Sequence, residues 1–340
     1  MTVSDKFEDC KILITGGAGF VGSEVVRQFS QLKNASLAVL DNFASGRRDF
    51  LSAVPECEIE EIDLLDRENV FRCVDRFRPD FVVHLAAIHF IPYCNRFPAE
   101  CIRVNIEGTQ NLLDALLNSS VRRVVAASSA AVYPIHDGAC GESSVSPEPT
   151  DVYGLSKLCN EMQLQQFHAK SGVDSAAARF FNVYGPRETN PHVIPELLNQ
   201  LLEGASELKL GNLEPKRDYI HVEDVARACI ALAADASGFG AYNVGTGTEF
   251  SVAEIVSHFK AISARPFEVV QDKNKVRKSD RMHLRADTSK IQEAVGFTAK
   301  VGFADGLADL WDWGQANPVL RDFSGSQSVR MERPLAGSDR

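Results

Sequence analysis

Lys11-Ile-Leu-Ile-Thr-Gly16-Gly-Ala-Gly19-Phe-Val-Gly22 limits what this chain can fold into more than any other stretch. Apolar and β-branched residues run straight into glycines spaced three apart, and an amphipathic run from Ser23 to Leu32 follows. The order is therefore strand, tight turn, helix, which is how a dinucleotide-binding unit begins. Gly16 lets the chain turn, Gly19 lets a pyrophosphate approach the backbone, and Gly22 lets the new helix pack on the strand with its N-terminus toward the phosphates. Leu37-Ala-Val-Leu-Asp41 supplies a second buried strand ending in an acid, 19 residues after Gly22. A carboxylate there accepts the hydroxyls of an adenosine ribose and repels a 2′-phosphate, so NAD is expected rather than NADP.

The same alternation continues. A polar turn, Asn42 to Arg48, is expected over the ribose. Glu58 to Asp66 reads as a third strand and turn, with Asp63 and Leu64 at the adenine edge. A helix from Arg67 to Phe77 leads to Phe81-Val-Val-His-Leu-Ala86-Ala87, a strand whose small end residues lie where ligands collect, at the carboxyl ends of parallel strands. Val104-Asn105-Ile106 opens a helix to Leu117, and Arg123 to Ser129 is a buried strand tipped by two hydroxyls. The pattern predicts a doubly wound, all-parallel α/β sheet of Rossmann type with helices on both faces.

A loop from Tyr133 to Thr150, rich in Gly, Pro, Ser and acids, has the length of a substrate-covering segment. It precedes Asp151-Val-Tyr153-Gly-Leu-Ser-Lys157, the start of a helix to about Ala169. Tyr153 and Lys157 stand at i and i+4 on one helix face. A cation beside the phenol, together with the positive nicotinamide ring nearby, is expected to pull its pKa below the usual ~10 and make it a base near neutrality. Beyond Phe181, Asn182 to Arg187 reads as a turn leaving the sheet, and the remainder as a smaller C-terminal α/β lobe closing over the first. The expected division is 1–180 for the cofactor domain with some later segments returning to it, 181–322 mainly for the second lobe, and 323–340 for a disordered Ser-, Gly- and Arg-rich tail.

The 340 residues bury an ample core, and 44% hydrophobic with 24% charged residues fits a soluble globular protein. A net charge of −10 argues against nucleic acid as the main partner. No apolar run approaches the ~20 residues of a membrane span and the first residues lack a signal-peptide core, so no membrane contact and a cytoplasmic location are expected. Eight scattered cysteines without CxxC or Cys/His spacing are read as reduced and mostly buried, with no metal site.

Thr15-Gly16-Gly-Ala-Gly19-Phe-Val-Gly22, Ser129, Tyr153-x-x-x-Lys157 and Arg179-Phe-Phe-Asn182-Val-Tyr-Gly-Pro-Arg187 together resemble the extended short-chain dehydrogenases/reductases, and within them the nucleotide-sugar epimerases and dehydratases. The resemblance runs from about Lys11 to about Leu310. It implies an NAD reduced and reoxidised within one turnover, Tyr153 as catalytic base, Lys157 holding the nicotinamide ribose, and Ser129 bonding the reacting sugar oxygen. Asn182 matches a diphosphate ligand, and Arg217 and Arg277 match two arginines that clamp the nucleotide diphosphate.

The expected NAD contacts are Gly16, Gly19, Phe20, Val21, Gly22, Asp41, Asn42, Ser45, Gly46, Asp63, Leu64, Leu85, Ala86, Ala87, Asn105, Ser128, Tyr153, Lys157 and Phe180. The expected substrate contacts are His89, Ser129, Ala130, Asn182, Arg187, Arg217 and Arg277. Where dehydratases and decarboxylases of this kind carry an acid after the catalytic hydroxyl residue, this chain has Ala130 and Ala131. A methyl cannot transfer a proton, so C4 epimerisation through a 4-keto sugar is expected. Elimination or decarboxylation using another acid such as Glu142 or His89, epimerisation at C2, and a non-catalytic NAD-binding role are the alternatives. UDP is the expected nucleotide and GDP the next, since Leu210-Gly-Asn-Leu-Glu-Pro-Lys-Arg217 also resembles GDP-mannose dehydratases. As in the family, helices 104–117 and 153–169 are expected to pair with their copies in a homodimer.

Overall fold

The computed structural model describes residues 3–188, 190–272 and 281–317. The sequence expectations at Arg277 and for the tail at 323–340 lie outside these residues. Seven strands form one sheet in the order Phe239–Val244, Asp174–Phe180, Arg123–Ser129, Phe81–His84, Lys11–Thr15, Ser36–Asp41, Glu58–Glu61. Every pairing in it is parallel, as the alternating pattern predicts.

Apart from the edge strand Glu58–Glu61, the strands are largely apolar because both faces are covered. Ile12, Ile14, Val39, Val83, Val125, Ala176, Ala178 and Val244 face one side, where helices Phe20–Phe29 and Val222–Asp235 pack. Leu13, Ala38, Leu40, Val82, Val124, Ala126 and Ala177 face the other, against helices Arg67–Phe77, Gly108–Leu116 and Val152–Ser171. Each such Val, Ile or Leu contributes about 1.5–3 kcal/mol by burial. The two faces are therefore the main source of stability. The register also brings the carboxyl ends of the Lys11–Thr15, Ser36–Asp41, Phe81–His84 and Arg123–Ser129 strands to one edge, where loops meet.

A second core lies beyond Phe181. Strands Asn182–Tyr184, Lys216–His221 and Glu249–Ser251 form a three-stranded sheet, and Glu207–Leu210 pairs with Glu268–Gln271. Helices Val193–Leu202, Val252–Ser263 and Phe303–Ala316 cover them through Leu197, Leu201, Ile255, Phe259, Leu307 and Trp311. The helix Val222–Asp235, the strand Phe239–Val244 and Ile291 return to the first core.

Three local readings change. The helix after the glycine turn starts at Phe20 rather than Ser23, so Gly22 is inside its first turn. Asn182 lies on a strand rather than in a turn, because Tyr219 to His221 offers it a parallel partner. The helix expected from Val104 begins at Pro98 and is interrupted by a π turn over Arg103–Glu107. That turn frees the Asn105 carbonyl, which accepts from Thr109 Oγ1 at 2.6 Å and Asn160 Nδ2 at 2.8 Å.

The glycine turn is crowded where the sequence demands it. A Cβ at Gly22 would lie 2.0 Å from the Gly16 carbonyl oxygen and 2.7 Å from Gly17 Cα. Gly22→Ala is expected to cost about 1–3 kcal/mol in denaturant unfolding and to weaken NAD binding with it. Unchanged stability would show that loop and helix do not meet this closely.

Candidate active site

The cofactor end is built from the first turn. Gly16, at φ +69°, sits where a Cβ would be 2.7 Å from the Ala86 amide nitrogen. Gly19 caps the Phe20–Phe29 helix with no side-chain bond to its first turn. A Cβ at Gly19 would meet only the Gly16 carbonyl, at 3.2 Å. The open space and uncapped amides form a cradle fit for a pyrophosphate. Asp41 is buried and accepts from the Ala18 amide at 3.0 Å and the Phe43 amide at 2.8 Å, one on each oxygen. Each oxygen keeps a second lone pair for a ribose hydroxyl. Burial raises the Asp41 pKa and the two amides oppose that rise.

Asn42 Nδ2 donates to Asp63 at 2.9 Å, and Asp63 caps the Leu65 amide at 2.8 Å, so these two residues shape one rim. Leu64 contributes its carbonyl to Asn111. Arg47 pairs with Asp49, and Arg48 with Glu61 while lying 4.2 Å over the Phe43 ring. Leu85 and Ala86 follow their strand, held by the Thr15 carbonyl and hydroxyl. Beneath them His84 bonds Thr15 Oγ1 at 2.6 Å and Thr109 Oγ1 at 2.8 Å. Burial, and secondarily the nearby Lys157, push the His84 pKa down to about 3, so this imidazole stays neutral.

Ser129, Tyr153 and Lys157 come together at the sheet edge. Asp151 caps the Val152–Ser171 helix by accepting from the Gly154 amide at 2.8 Å, and Gly172 ends it at φ +74°. The helix approaches the serine turn closely, since a Cβ on Gly154 would lie 2.4 Å from the Ala131 carbonyl oxygen. Ser129 accepts from the Ala131 amide at 3.1 Å, and its hydroxyl acts on the Tyr153 phenol in the direction of a lower pKa. Lys157 Nζ donates to the Ala127 carbonyl at 3.0 Å and lies 5.9 Å from the Tyr153 ring centre. The expectation of a lowered phenol pKa is not met by the protein's own groups: burial raises it, and the Ser129 bond acts against the rise. Burial likewise brings Lys157 down to about 8.

Other expected contacts have partners within the protein. Ser128 turns away to Glu161 at 2.5 Å. Asn105 is fully buried, pairing with the Ile88 amide and carbonyl at 2.8 and 2.9 Å and with Ser156 at 2.9 Å. Arg187, at φ +72°, turns back to the buried Glu24 of the Phe20–Phe29 helix at 2.7 Å. Glu142 accepts from the Asn243 amide at 2.6 Å and does not join the Ser129 group. His89 bridges to Asn190 at 2.6 Å. Asn182 stands in register with Tyr219, two residues along the Lys216–His221 strand from Arg217.

The sequence reading missed a buried network behind these groups. Glu161 takes Arg179 Nε and Nη2 at 2.8 and 2.7 Å, Arg179 Nη1 donates to the Tyr133 hydroxyl at 2.8 Å, and that hydroxyl donates to Asn243 Oδ1 at 2.8 Å. Its one signal in the sequence is Glu161, one helical turn beyond Lys157 on the same face. The eight cysteines are all free, and seven are buried.

A parallel sheet with a glycine turn at its edge, a buried acid beyond it and a serine, tyrosine and lysine in one group defines a nucleotide-cofactor enzyme of the dehydrogenase type. Residues 12–245 match the NAD dependent epimerase/dehydratase family, and the chain belongs to it. Its cofactor is NAD. The chain is 30% identical over 335 residues to the UDP-glucose 4-epimerase of Bacillus subtilis (strain 168), covering 90% of this chain and 97% of that one. Among solved structures, epimerase Mth375 of Methanothermobacter thermautotrophicus superposes with a TM-score of 0.88 at 28% identity, covering 95% and 98% of the two chains. The UDP-glucose 4-epimerase of Thermus thermophilus, solved with NAD, gives 0.80 at 31%, covering 89% and 98%.

The lysine environment sets a pH dependence. A lysine held at about 8 in the fold and near 10.4 when unfolded penalises folding below pH 8, and the penalty is relieved as pH rises through that window. Lys157→Met is therefore expected to unfold at a higher temperature than the parent near pH 7, with the gap narrowing between pH 8 and 10. A gap independent of pH would contradict the burial of a charged ammonium.

Proposed function

We propose that the protein is an NAD-dependent epimerase of a nucleotide-diphosphate sugar, inverting C4 through a transient 4-keto sugar, with a UDP-sugar the favoured substrate and a GDP-sugar next. The observation that carries this reading is the Ser129, Tyr153 and Lys157 group, followed by Ala130 and Ala131 where an eliminating enzyme would need an acid. The UDP-glucose 4-epimerases among the relatives support the same choice. NAD, when bound, supplies the acceptor and donor of the C4 hydride.

Gly16, Gly19, Gly22 and the amides of Phe20 and Val21 hold its pyrophosphate. Asp41 holds the adenosine ribose, with Asn42, Ser45, Gly46, Asp63 and Leu64 around it. Leu85, Ala86, Ala87 and Phe180 line the path to the ring. Tyr153 removes the proton of the sugar 4-hydroxyl and returns it after the sugar has turned. Lys157, fixed by the Ala127 carbonyl, keeps a positive charge at the phenol and bonds the nearby ribose. Ser129 bonds the sugar oxygen as it changes from hydroxyl to carbonyl. Asn105 and Ser128 act from behind, holding the helix and the strand that carry these groups. Asn182, Arg217 and Arg277 grip the diphosphate, which leaves the sugar free to rotate between its two faces. His89 stands at the sugar end.

The reading also makes the enzyme a cytoplasmic homodimer. Leu155 and Met162, seven residues apart on one face of the Val152–Ser171 helix, are 46% and 55% exposed, and Ile102 beside them is 41% exposed. A second copy of the same face would cover them.

Two measurements test the proposal. Purified protein offered UDP-, GDP-, CDP- and dTDP-hexoses and hexuronic acids is expected to give an isomer of unchanged mass, inverted at C4 by NMR. Loss of water or carbon dioxide would make it a dehydratase or decarboxylase, and inversion at C2 would move the chemistry. In light scattering the parent is expected at twice the chain mass and Leu155→Glu/Met162→Glu at the chain mass. A monomeric parent would remove the dimer.

A further inference from the structure

We infer that Arg281 is a positioning residue for the proposed reaction: through the carbonyls of Ala130 and Tyr133 it holds the turn that carries Ser129 against the Tyr153 phenol. The inference rests on the roles proposed for Ser129 and Tyr153.

The turn is short and has little to hold it by itself. Ala130–Val132 is a single 3₁₀ turn, closed by the Tyr133 amide on the Ala130 carbonyl at 3.2 Å and by the Ala131 amide on Ser129 Oγ at 3.1 Å. Its two ends are gripped from different directions. On the sheet side, Ser128 bonds Glu161 and the Tyr133 hydroxyl bonds Arg179. On the other side, Arg281 Nη2 donates to the Tyr133 carbonyl at 2.7 Å, and Nη1 lies 3.5 Å from the Ala130 carbonyl. A guanidinium fork can span two carbonyls three residues apart with two separate nitrogens, whereas the ammonium of a lysine must reach both from one.

Arg281 belongs to the second lobe. The residues after it run alongside the strand that carries Arg217: the Lys216 amide donates to the Met282 carbonyl at 2.8 Å, and the Asp218 amide to the Leu284 carbonyl at 2.8 Å. Just beyond, Arg285 and Ala286 pair in parallel with Ala139 and Cys140, past the serine turn. The side chain thus joins the strand proposed to grip the diphosphate to the turn proposed to bond the sugar oxygen. Ser129 can then be set correctly only while the two lobes keep this register. Displacement of a hydroxyl by about 1 Å at a reacting centre costs on the order of 100-fold in rate, and the part of the bond that strengthens only as the sugar oxygen changes is lost from kcat rather than KM.

The test compares NAD-loaded parent with Arg281→Ala and Arg281→Lys, using the nucleotide sugar that the parent turns over. With Arg281→Ala, kcat is expected to fall about 10- to 100-fold while KM stays within about twofold, and millimolar guanidinium ion is expected to restore part of kcat. Arg281→Lys is expected to fall between the two. A rise in KM with kcat unchanged would make Arg281 a substrate ligand and overturn the inference, as would unchanged kinetics.

Hydrogen–deuterium exchange gives a readout without turnover. The Ala131 and Tyr133 amides are expected to exchange about tenfold faster in Arg281→Ala, with the Val152–Ser171 helix unaffected. Unchanged exchange at those amides would overturn the inference whether or not a substrate is found. If the parent turns over no nucleotide sugar, the proposed function fails, and the exchange arm still decides whether Arg281 holds the turn. Should Arg281→Ala not fold, Arg281→Lys carries both arms.

Discussion

A buried ion pair holds together the two halves of the proposed catalytic group. Glu161, on the helix that carries Tyr153 and Lys157, meets Arg179, on the strand beside Ser128 and Ser129, through two nitrogens at 2.8 and 2.7 Å. Burying two charges is costly unless their remaining bonding positions are filled. Here Ser128 supplies a further donor to Glu161 and the Tyr133 hydroxyl an acceptor to Arg179, so the network is closed on both sides. The consequence is geometric. Helix and strand cannot slide past one another without breaking charge-assisted bonds in a dry interior, and the serine, phenol and ammonium stay in one arrangement.

This network is hidden in the sequence for a plain reason. Tyr133, Glu161, Arg179 and Asn243 are far apart in the chain, and only the order of strands in the sheet makes them neighbours. What the sequence carries openly is local. Apolar runs ending in glycine, acid or hydroxyl residues define the strands and their functional ends, and the i, i+4 spacing of Tyr153 and Lys157 defines their common face. The sheet, its parallel sense and the meeting of Ser129 with Tyr153 and Lys157 follow from those signals.

What the surroundings add is equally physical. Arg187, expected at the substrate from the family resemblance, has a left-handed backbone conformation and pairs with Glu24. The same reasoning puts Asn105 at the cofactor, and the π turn buries it between the Ile88 loop and Ser156. Lys157 and the nicotinamide ring are expected to lower the phenol pKa, while burial, which no spacing reveals, raises it. In each case a residue's surroundings, rather than its spacing, decide its state.

In the proposed reaction one pair of electrons leaves C4 and returns to it inside a closed site, with Tyr153 moving the only proton. A UDP-hexose deuterated at C4, incubated with the NAD-loaded protein in ordinary water, tests this most directly. The label is expected to remain wholly at C4 in a product inverted there, with no solvent hydrogen in its place. Loss of the C4 label to solvent, or its full retention in a product that has lost water, would contradict the account.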